Sequence, residues 1–257
     1  MITILSVAGS DNSSGAGIQA DIKTCLSLNA YCLTAVTNVT SQNSNSVHRV
    51  FSLPSNLVIS QINTLLDDYK IDGIKIGLIT EIDLAKSLTK FLAKIKKKIP
   101  IVIDPIYSSS TKKKFTNKTK FVKIYHTFSS LEAVLTPNLI EAKILAKTNI
   151  NKNISTENLL KKISKNYNKQ VTITGGDIRG EFSVDHLIIR NKIYKFKSKK
   201  VKSKHTHGSG CCFSTAMTIF LARGETIYDS VRKSKQFIKK CIRKSPKFGL
   251  EYGPIGH

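Results

Sequence analysis

Short apolar segments alternate with amphipathic segments along most of the chain, and this order limits the folds that it can adopt. Residues 1–8, MITILSVA, are almost continuously apolar and predict a first strand that is buried on both faces. From Gly17 the apolar residues recur at helical spacing, so a helix is expected to follow the strand after a glycine-rich loop. Such an alternation is typical of βαβ units built around a parallel sheet.

The same alternation continues towards the C-terminal part of the chain. Further strands are predicted at 30–42, 72–79, 100–105, 132–138 and 170–176, and further helices at 57–69, 83–98, 139–147, 157–167, 211–223 and 226–243. Residues 183–196 interrupt this rhythm and predict a small antiparallel hairpin at a sheet edge. Because we find no internal repeat and no long linker, we expect residues 1–257 to form a single α/β domain, with a mostly parallel central sheet and helices on both faces.

The net charge of +24 raises the question of nucleic-acid or membrane binding. The lysines are spread through the whole chain, and no motif with interleaved aromatic residues accompanies them. We therefore expect small anions as partners, and neither nucleic acid nor a membrane. The five cysteines lack the paired spacing of a disulfide scaffold, and the apolar run at residues 1–8 is too short to span a membrane, so we expect reduced thiols and a cytoplasmic protein.

Polar residues and glycines follow the ends of the predicted strands. They are Asp11, Gln42, Asp104, Asn138 and the pair Gly175 and Gly176. Because the carboxyl ends of parallel strands lie along one edge of a doubly wound sheet, we expect a ligand site at this edge.

Asp21 lies on the apolar stripe of the first helix, between Ile18 and Cys25. A carboxylate at such a position is costly to bury unless it is hydrogen-bonded. The residue therefore either caps a neighbouring loop or binds a polar ligand, and the sequence pattern leaves both possibilities open.

A glycine-bracketed turn, HGSG, precedes the helix that is predicted to start near Cys211. The free amides and positive dipole of a helix start favour a phosphate or a developing oxyanion, and the glycines allow close approach. The same dipole predicts a thiol pKa lowered by roughly one unit or more. Two alternatives remain: the cysteines belong to the core, or His205, His207, Cys211 and Cys212 bind zinc, although the usual C-x-x-C spacing is absent.

Two segments together resemble a known family: SVAGSDNSSGAGIQADIKT (6–24) and HTHGSGCCFSTAMTIFLARG (205–224). They are similar to the bacterial hydroxymethylpyrimidine and hydroxymethylpyrimidine phosphate kinases of thiamine biosynthesis, within the ribokinase-like superfamily. The shorter motifs VTSQNS, KIGL, VIDP, TPNLIEA, GGD and GPIGH follow in the family's order, so the resemblance spans nearly the whole chain.

The resemblance implies a ribokinase-like three-layer sandwich, ATP and Mg²⁺ as cofactors, a homodimer, and phosphorylation of 4-amino-5-hydroxymethyl-2-methylpyrimidine and then of its monophosphate. It also implies roles for individual residues. Gly9, Asp21, Gln42 and Leu78 would form the pyrimidine pocket; Gly208, Ser209 and Gly210 the anion hole; Cys211 the catalytic base; Asn138, Thr174, Gly175 and Gly176 the nucleotide site; and Glu141 the magnesium site.

The chain departs from the family pattern at four positions. Asn12 and Ser14 replace proline and glycine in the first loop, Cys212 replaces threonine, and Thr174 stands where the family usually has lysine. The change at Thr174 removes a cation near the expected nucleotide phosphates. It therefore leaves a pyrimidine-binding protein with weak kinase activity as one alternative function. The other alternative is a pyridoxal kinase of the same cysteine-bearing subgroup, because pyridoxal is also a flat heteroaromatic with a hydroxymethyl arm. Residues 107–115, YSSSTKKKF, are a candidate lid.

Overall fold

The structure is a computed structural model that describes residues 1–95, 98–151, 153–176 and 180–257. All strands of this described part belong to one sheet. They are β1 (Ile2–Asp11), β2 (Ala30–Gln42), β3 (Val47–Ser52), β4 (Gly73–Ile76), β5 (Ile101–Ile103), β6 (Val134–Leu135), β7 (Gln170–Ile173), β8 (Phe182–Ile189) and β9 (Lys192–Lys199). A single continuous sheet is consistent with the prediction of one domain.

The helices of the described residues pack against this sheet. They are α1 (Gly17–Ser27), α2 (Ser55–Asp68), α3 (Ile82–Leu92), α4 (Lys118–Thr127), α5 (Leu139–Leu145), α6 (Thr156–Tyr167), α7 (Ser209–Ala222) and α8 (Ile227–Arg243). A short 3-10 turn follows α4.

The sheet has the order β3-β2-β1-β4-β5-β6-β7-β8-β9. Its six central strands, from β2 to β7, run parallel to one another, while β3, β8 and β9 are antiparallel to their neighbours. The predicted hairpin at 183–196 is confirmed as β8 and β9, and the mostly parallel sheet is confirmed.

Successive residues of β1 point to opposite faces of the sheet, as the apolar run predicts. Leu5 packs in the large core cluster beneath α2 to α6, whereas Ile4 packs with Cys25 and Ile219 of α1 and α7. Helices α2–α6 therefore cover one face, and α1, α7 and α8 cover the other, which confirms the three-layer sandwich.

Three elements differ from the sequence prediction. Strand β3 and helix α4 were not expected, and α3 ends at Leu92 instead of continuing to residue 98. Helix α4 is rich in lysine, yet it buries Phe121, Ile124 and Tyr125, so its narrow apolar face is masked by charge. Lys96 and Lys97, part of the predicted α3, lie outside the described residues.

The carboxyl ends of the parallel strands meet at one edge, and the loops there hold most of the predicted site residues. Helices α1 and α7 both begin at this edge and pack against each other. Within the described chain, no helix combines the length and apolarity needed to cross a bilayer.

Candidate active site

The loop between β1 and α1 is shaped by the carboxylate of Asp11. Asp11 Oδ1 accepts hydrogen bonds from the amide and hydroxyl of Ser13, and Oδ2 accepts from the amides of Gly15 and Ala16. Burial acts to raise the pKa of Asp11, but the bonds from His207 and Ser13 outweigh it and hold the pKa at about 2. Asp11 is therefore a carboxylate that fixes the entry to α1.

Two of the family departures have a structural account in this loop. Ser14 stands where the family has glycine, and it adopts a left-handed backbone with φ of 60°, a conformation that costs a non-glycine residue free energy. Asn12 accepts a hydrogen bond from the amide of Gln42 at 2.8 Å. The asparagine thereby ties the first loop to the end of β2.

The glycine-bracketed turn packs directly against the first loop. Gly208 caps α7 with φ of 82°, and a Cβ there would lie 1.9 Å from the carbonyl oxygen of Gly15. Only glycine fits this position, both for its backbone conformation and for the close approach. The first helical bond of α7 runs from Cys212 N to Gly208 O, so the amides of Gly210 and Cys211 point out of the helix end. This geometry suits an anion.

Cys211 lies in the first turn of α7 and is only 7% exposed. Burial raises the pKa of its thiol to about 12, and the charges of Asp104 and Asp21 add to that effect, whereas Lys75 and the backbone of Gly17 oppose it. The expectation of a lowered pKa is therefore wrong for this structure. The helix dipole favours the thiolate, but burial and the two nearby carboxylates favour the protonated thiol.

Beneath Cys211, Asp21 forms a fully buried ion pair with Lys75 of β4, with 2.8 Å between Oδ2 and Nζ. The same carboxylate accepts bonds from Ser6 Oγ at 2.5 Å and from Thr215 Oγ1 at 2.7 Å. Both Asp21 and Lys75 have no exposed surface. The sequence left open whether Asp21 caps a loop or binds a ligand. The structure shows a further role, because Asp21 links α1, β4 and α7.

Asp104, directly after β5, is the second buried carboxylate of this cluster. Its Oδ2 accepts a hydrogen bond from Ser214 Oγ at 3.2 Å and lies 4.0 Å from the Cβ position of Gly210. Burial raises the pKa of Asp104 to about 6; Lys75 opposes this shift and Asp21 adds to it. A single buried lysine thus faces two carboxylates in this part of the described structure.

The replacement Asp104→Asn is expected to stabilise the protein at pH 8. The pKa of Asp104 rises from 3.8 to about 6 on folding, so the folded protein binds this proton more tightly than the unfolded chain does. The stability gained in this way is fully present only below pH 3.8, and it is lost as the pH rises through 6. The shift corresponds to a gain of up to about 3 kcal/mol for the variant at pH 8, shrinking to near zero at pH 4. Urea unfolding at both pH values measures it.

The exposed Asp67 of α2 offers a matched control for Asp104. Asp67→Asn is expected to change the free energy of unfolding by less than about 0.5 kcal/mol at either pH, because surface substitutions have small effects. An Asp104→Asn protein that is less stable than the wild type at pH 8 would show that burying the charged carboxylate does not destabilise the fold.

The residues expected to form the pyrimidine pocket lie in two places. Gly9 and Leu78 are neighbours, since a Cβ on Gly9 would lie 3.2 Å from Leu78 Cδ2. Gln42 lies further along the edge, at the end of β2, and its side chain is partly exposed. Asp21 is fully covered, and its carboxylate is already bound to three protein donors. A direct contact of Asp21 with a ligand stays a prediction.

The residues expected to bind the nucleotide lie together after β6 and β7. Asn138 and Thr174 form an isolated parallel bridge, and the amide of Gly175 donates to Asp185 Oδ1. A Cβ on Gly176 would meet open space, so this glycine borders solvent. Asp177, the last residue of the GGD motif, lies outside the described residues.

Glu141 caps the start of α5 together with Asn138. Asn138 Oδ1 accepts from the amide of Glu141, and Glu141 Oε2 accepts from the amide of Asn138. The other oxygen of Glu141 accepts from the amide of Tyr107 at 3.0 Å. Glu141 therefore joins the candidate nucleotide site to the base of the candidate lid.

The alternative of a zinc site is wrong for the described residues. Among them, no group of three or more His, Cys, Asp or Glu side chains could hold a metal ion. Three of the four residues have other partners: His207 binds Asp11 and Ser110, His205 accepts from Gly253 N, and Cys212 lies 3.3 Å from His257 Nε2.

The sequence analysis missed three members of the buried cluster, namely Lys75, Ser6 and Thr215. Lys75 was detectable, because it interrupts an otherwise apolar strand, and a buried lysine requires a counter-charge. Ser6 and Thr215 gave no such signal, since small hydroxyl residues are common in strands and helices.

A mostly parallel sheet, a glycine-capped helix start at its carboxyl edge and a cysteine buried in the first turn of that helix define a kinase of the ribokinase-like class. The sequence assigns the chain to one family within this class. It belongs to the phosphomethylpyrimidine kinase family, whose sequence model matches residues 11–256.

Relatives support this assignment over nearly the full length. The chain is 32% identical over 248 residues to the hydroxymethylpyrimidine/phosphomethylpyrimidine kinase of Aquifex aeolicus, covering 96% of this chain and 97% of that protein. Among solved structures, it is similar to an ADP complex of Bacillus subtilis pyridoxal kinase, with a TM-score of 0.88, 31% identity and coverage of 100% and 97%. It is also similar to phosphomethylpyrimidine kinase from Clostridium difficile, with a TM-score of 0.78, 28% identity and coverage of 94% and 100%.

Proposed function

We propose that the protein transfers the γ-phosphoryl group of ATP to the hydroxymethyl group of 4-amino-5-hydroxymethyl-2-methylpyrimidine, and then phosphorylates the monophosphate, for thiamine biosynthesis in the cytoplasm. The observation that carries this proposal is the placement of Cys211 and the outward amides of α7 against the first loop, in a chain of this family. Relatives with ADP or the ATP analogue AMP-PCP bound support ATP as the donor.

In this proposal, Gly9 and Leu78 form the flat apolar wall that receives the pyrimidine ring. Gln42 would pair with a polar edge of the ring, because its amide offers both a donor and an acceptor. Asp21 would act on the ring mainly through the position of α1 and the charge of Lys75, since its own oxygens are occupied.

The turn from Gly208 to Cys211 would hold the transferred phosphoryl group. Phosphoryl transfer passes through a loose transition state, so the main contribution of this chain is placement and stabilisation of charge by the amides of Gly210 and Cys211. The thiol of Cys211 is protonated in the free protein. It becomes a proton acceptor only if substrate binding lowers its pKa, and Lys75 and the helix dipole supply positive potential in that direction.

The residues near Asn138 fit a magnesium ion that is held mostly by water and phosphate. Mg²⁺ usually keeps several waters and needs only one or two carboxylates. Both oxygens of Glu141 already accept backbone amides, so Glu141 would act on the ion through water and not as a direct ligand. The bound ion would neutralise charge on the phosphates.

The rival substrate is pyridoxal, which is favoured by one observation: several structural relatives are pyridoxal kinases, with TM-scores of 0.88 for the one from Bacillus subtilis and 0.86 for one from Staphylococcus aureus. Thr174, in place of the family's lysine, motivates a second rival, a pyrimidine-binding protein with weak kinase activity.

We propose small molecules as ligands and no nucleic acid or membrane partner. A homodimer is implied by the family resemblance, and light scattering tests it.

Turnover of the pyrimidine and of pyridoxal with Mg-ATP tests the proposal. Product detection by mass spectrometry, together with ADP release, is expected to show faster phosphorylation of the pyrimidine and a second transfer to its monophosphate. Faster turnover of pyridoxal would overturn the assignment. Tight pyrimidine binding without ADP release would instead identify a binding protein.

A further inference from the structure

One side chain at the edge of the sheet joins three segments of the active site. The ring of His207 lies between Asp11 and Ser110, with 2.9 Å from Nε2 to Asp11 Oδ2 and 2.8 Å from Nδ1 to Ser110 Oγ. Asp11 belongs to the first loop, Ser110 to the candidate lid, and His207 immediately precedes Gly208. The hydrogen bonds from Ser110 through His207 to Asp11 thus connect the lid, the anion-binding turn and the first loop.

The position of His207 is fixed on all sides. The residue is only 9% exposed, and a Cβ on Gly15 would lie 2.1 Å from its Cδ2 atom. Its backbone amide donates to Gly253 O, which anchors the strand-like segment before the turn. Because the ring is held in this way, a movement of the lid can displace His207 and with it the turn that follows His207.

The two hydrogen bonds have a defined direction in the neutral ring. Asp11 Oδ2 only accepts, so His207 Nε2 carries the proton, and Nδ1 is left to accept from the hydroxyl of Ser110. Asp11 is a strong acceptor because it stays ionised. Nδ1 of His207 therefore accepts from the lid only while Asp11 keeps the proton of the ring on Nε2.

The lid itself is a compact loop whose tip carries Ser110. Its ends are joined by a bond from Phe115 N to Tyr107 O, and Ser108 bridges to Lys114. Its base packs onto the site, since Ile106 lies in the apolar cluster with Cys211. With Cys211 and Leu78 almost fully buried, the site is covered, so entry of a substrate requires movement at this edge.

We propose that His207 is a positioning residue that couples closure of the lid to the arrangement of the anion-binding turn, through Ser110 on one side and Asp11 on the other. This inference rests on the proposed function for its kinetic consequence only. With the bond formed, the lid excludes water and the amides of Gly210 and Cys211 are held for the phosphoryl group. With the bond broken, the lid opens and the turn loses one of its supports.

Trypsin measures opening of the lid without reference to any reaction. Lys112, Lys113 and Lys114 lie exposed in the lid, and cleavage at these bonds is quantified by mass spectrometry under native conditions. We expect Ser110→Ala and His207→Ala to increase the rate of cleavage there about 3- to 10-fold, as loss of a hydrogen bond predicts. Ser108→Ala, in the same loop, is the matched control and should cleave at the wild-type rate.

Kinetics then separate positioning from general structural damage. His207→Ala is expected to lower kcat for the pyrimidine about 10- to 100-fold and to raise the ratio of ADP released to pyrimidine phosphorylated, because water reaches the site. His207→Gln, which offers one donor and one acceptor, should restore part of the kcat and of the coupling ratio. Thermal unfolding confirms that each variant is folded.

Each outcome has a distinct meaning. Wild-type cleavage rates in Ser110→Ala and His207→Ala would overturn the inference, whatever the activity of the protein. A lowered kcat with an unchanged coupling ratio and no restoration by glutamine would also overturn it, since it would show a merely structural role. Faster lid cleavage in a protein that phosphorylates neither substrate would support the coupling and refute the proposed function.

Discussion

Replacing Lys75 with methionine is expected to lower the free energy of unfolding by about 3–5 kcal/mol, because the change leaves buried carboxylates without a cation. Burial alone would lower the pKa of Lys75, but the charges of Asp21 and Asp104 and the hydrogen bond to Asp21 together outweigh burial, so the lysine stays protonated in the folded protein. Asp21 has no exposed surface through which water could compensate. Urea unfolding at pH 7.5 measures the loss.

The ion pair can be tested by a double-variant cycle. Lys75→Met combined with Asp21→Asn should recover about half of the lost stability, because the second change removes the unpaired charge. The exposed pair of Lys195 and Glu157, with a 2.6 Å separation, provides the control: Lys195→Met should cost less than about 1 kcal/mol. A double variant that is no more stable than Lys75→Met would contradict the account of this cluster.

Replacing Cys211 with alanine is expected to lower kcat by about a hundred- to ten-thousand-fold, which is the usual range for loss of a residue that transfers a proton. The dissociation constant for the pyrimidine should change by less than about threefold, because the thiol acts on the reacting hydroxyl and not on the ring. Steady-state kinetics with Mg-ATP and calorimetric titration with the pyrimidine give the two quantities.

The neighbouring cysteine supplies a matched control. Cys212 is also buried in α7, but its sulfur faces His257 and the carbonyl of Ala20, away from the turn. Cys212→Ala should therefore leave kcat nearly unchanged. Equal losses in the two variants would mean that the assignment of the reacting cysteine is wrong.

The fold was predictable because its main signals are local. The apolar run of residues 1–8, the alternation of strands and helices, and the hairpin at 183–196 each follow from the spacing of side chains in one segment. Helix α4 was missed for the same reason: six of its ten residues are lysine, histidine or threonine, and its three buried aromatic and aliphatic residues are too few to reveal its apolar face.

The site was predictable only in part. Glycines at 208 and 210, a cysteine after them and polar residues at strand ends were visible in the sequence and indicated an anion site at one edge of the sheet. The pKa of Cys211 was predicted in the wrong direction, because the dipole of its own helix is a local effect, whereas the burial of the thiol and the charges of Asp104 and Asp21 arise from the packing of other elements.

By itself, therefore, the sequence determined the order of strands and helices, the class of the fold and the residue types available at its edge, since each depends on periodicity or on a short motif. Only the tertiary structure decided that Asp21 faces Lys75 beneath Cys211, and that His207 lies between Asp11 and Ser110. These contacts join residues 54 to 196 positions apart in the chain, and charge and hydrogen bonding across such separations depend on distances that folding alone sets.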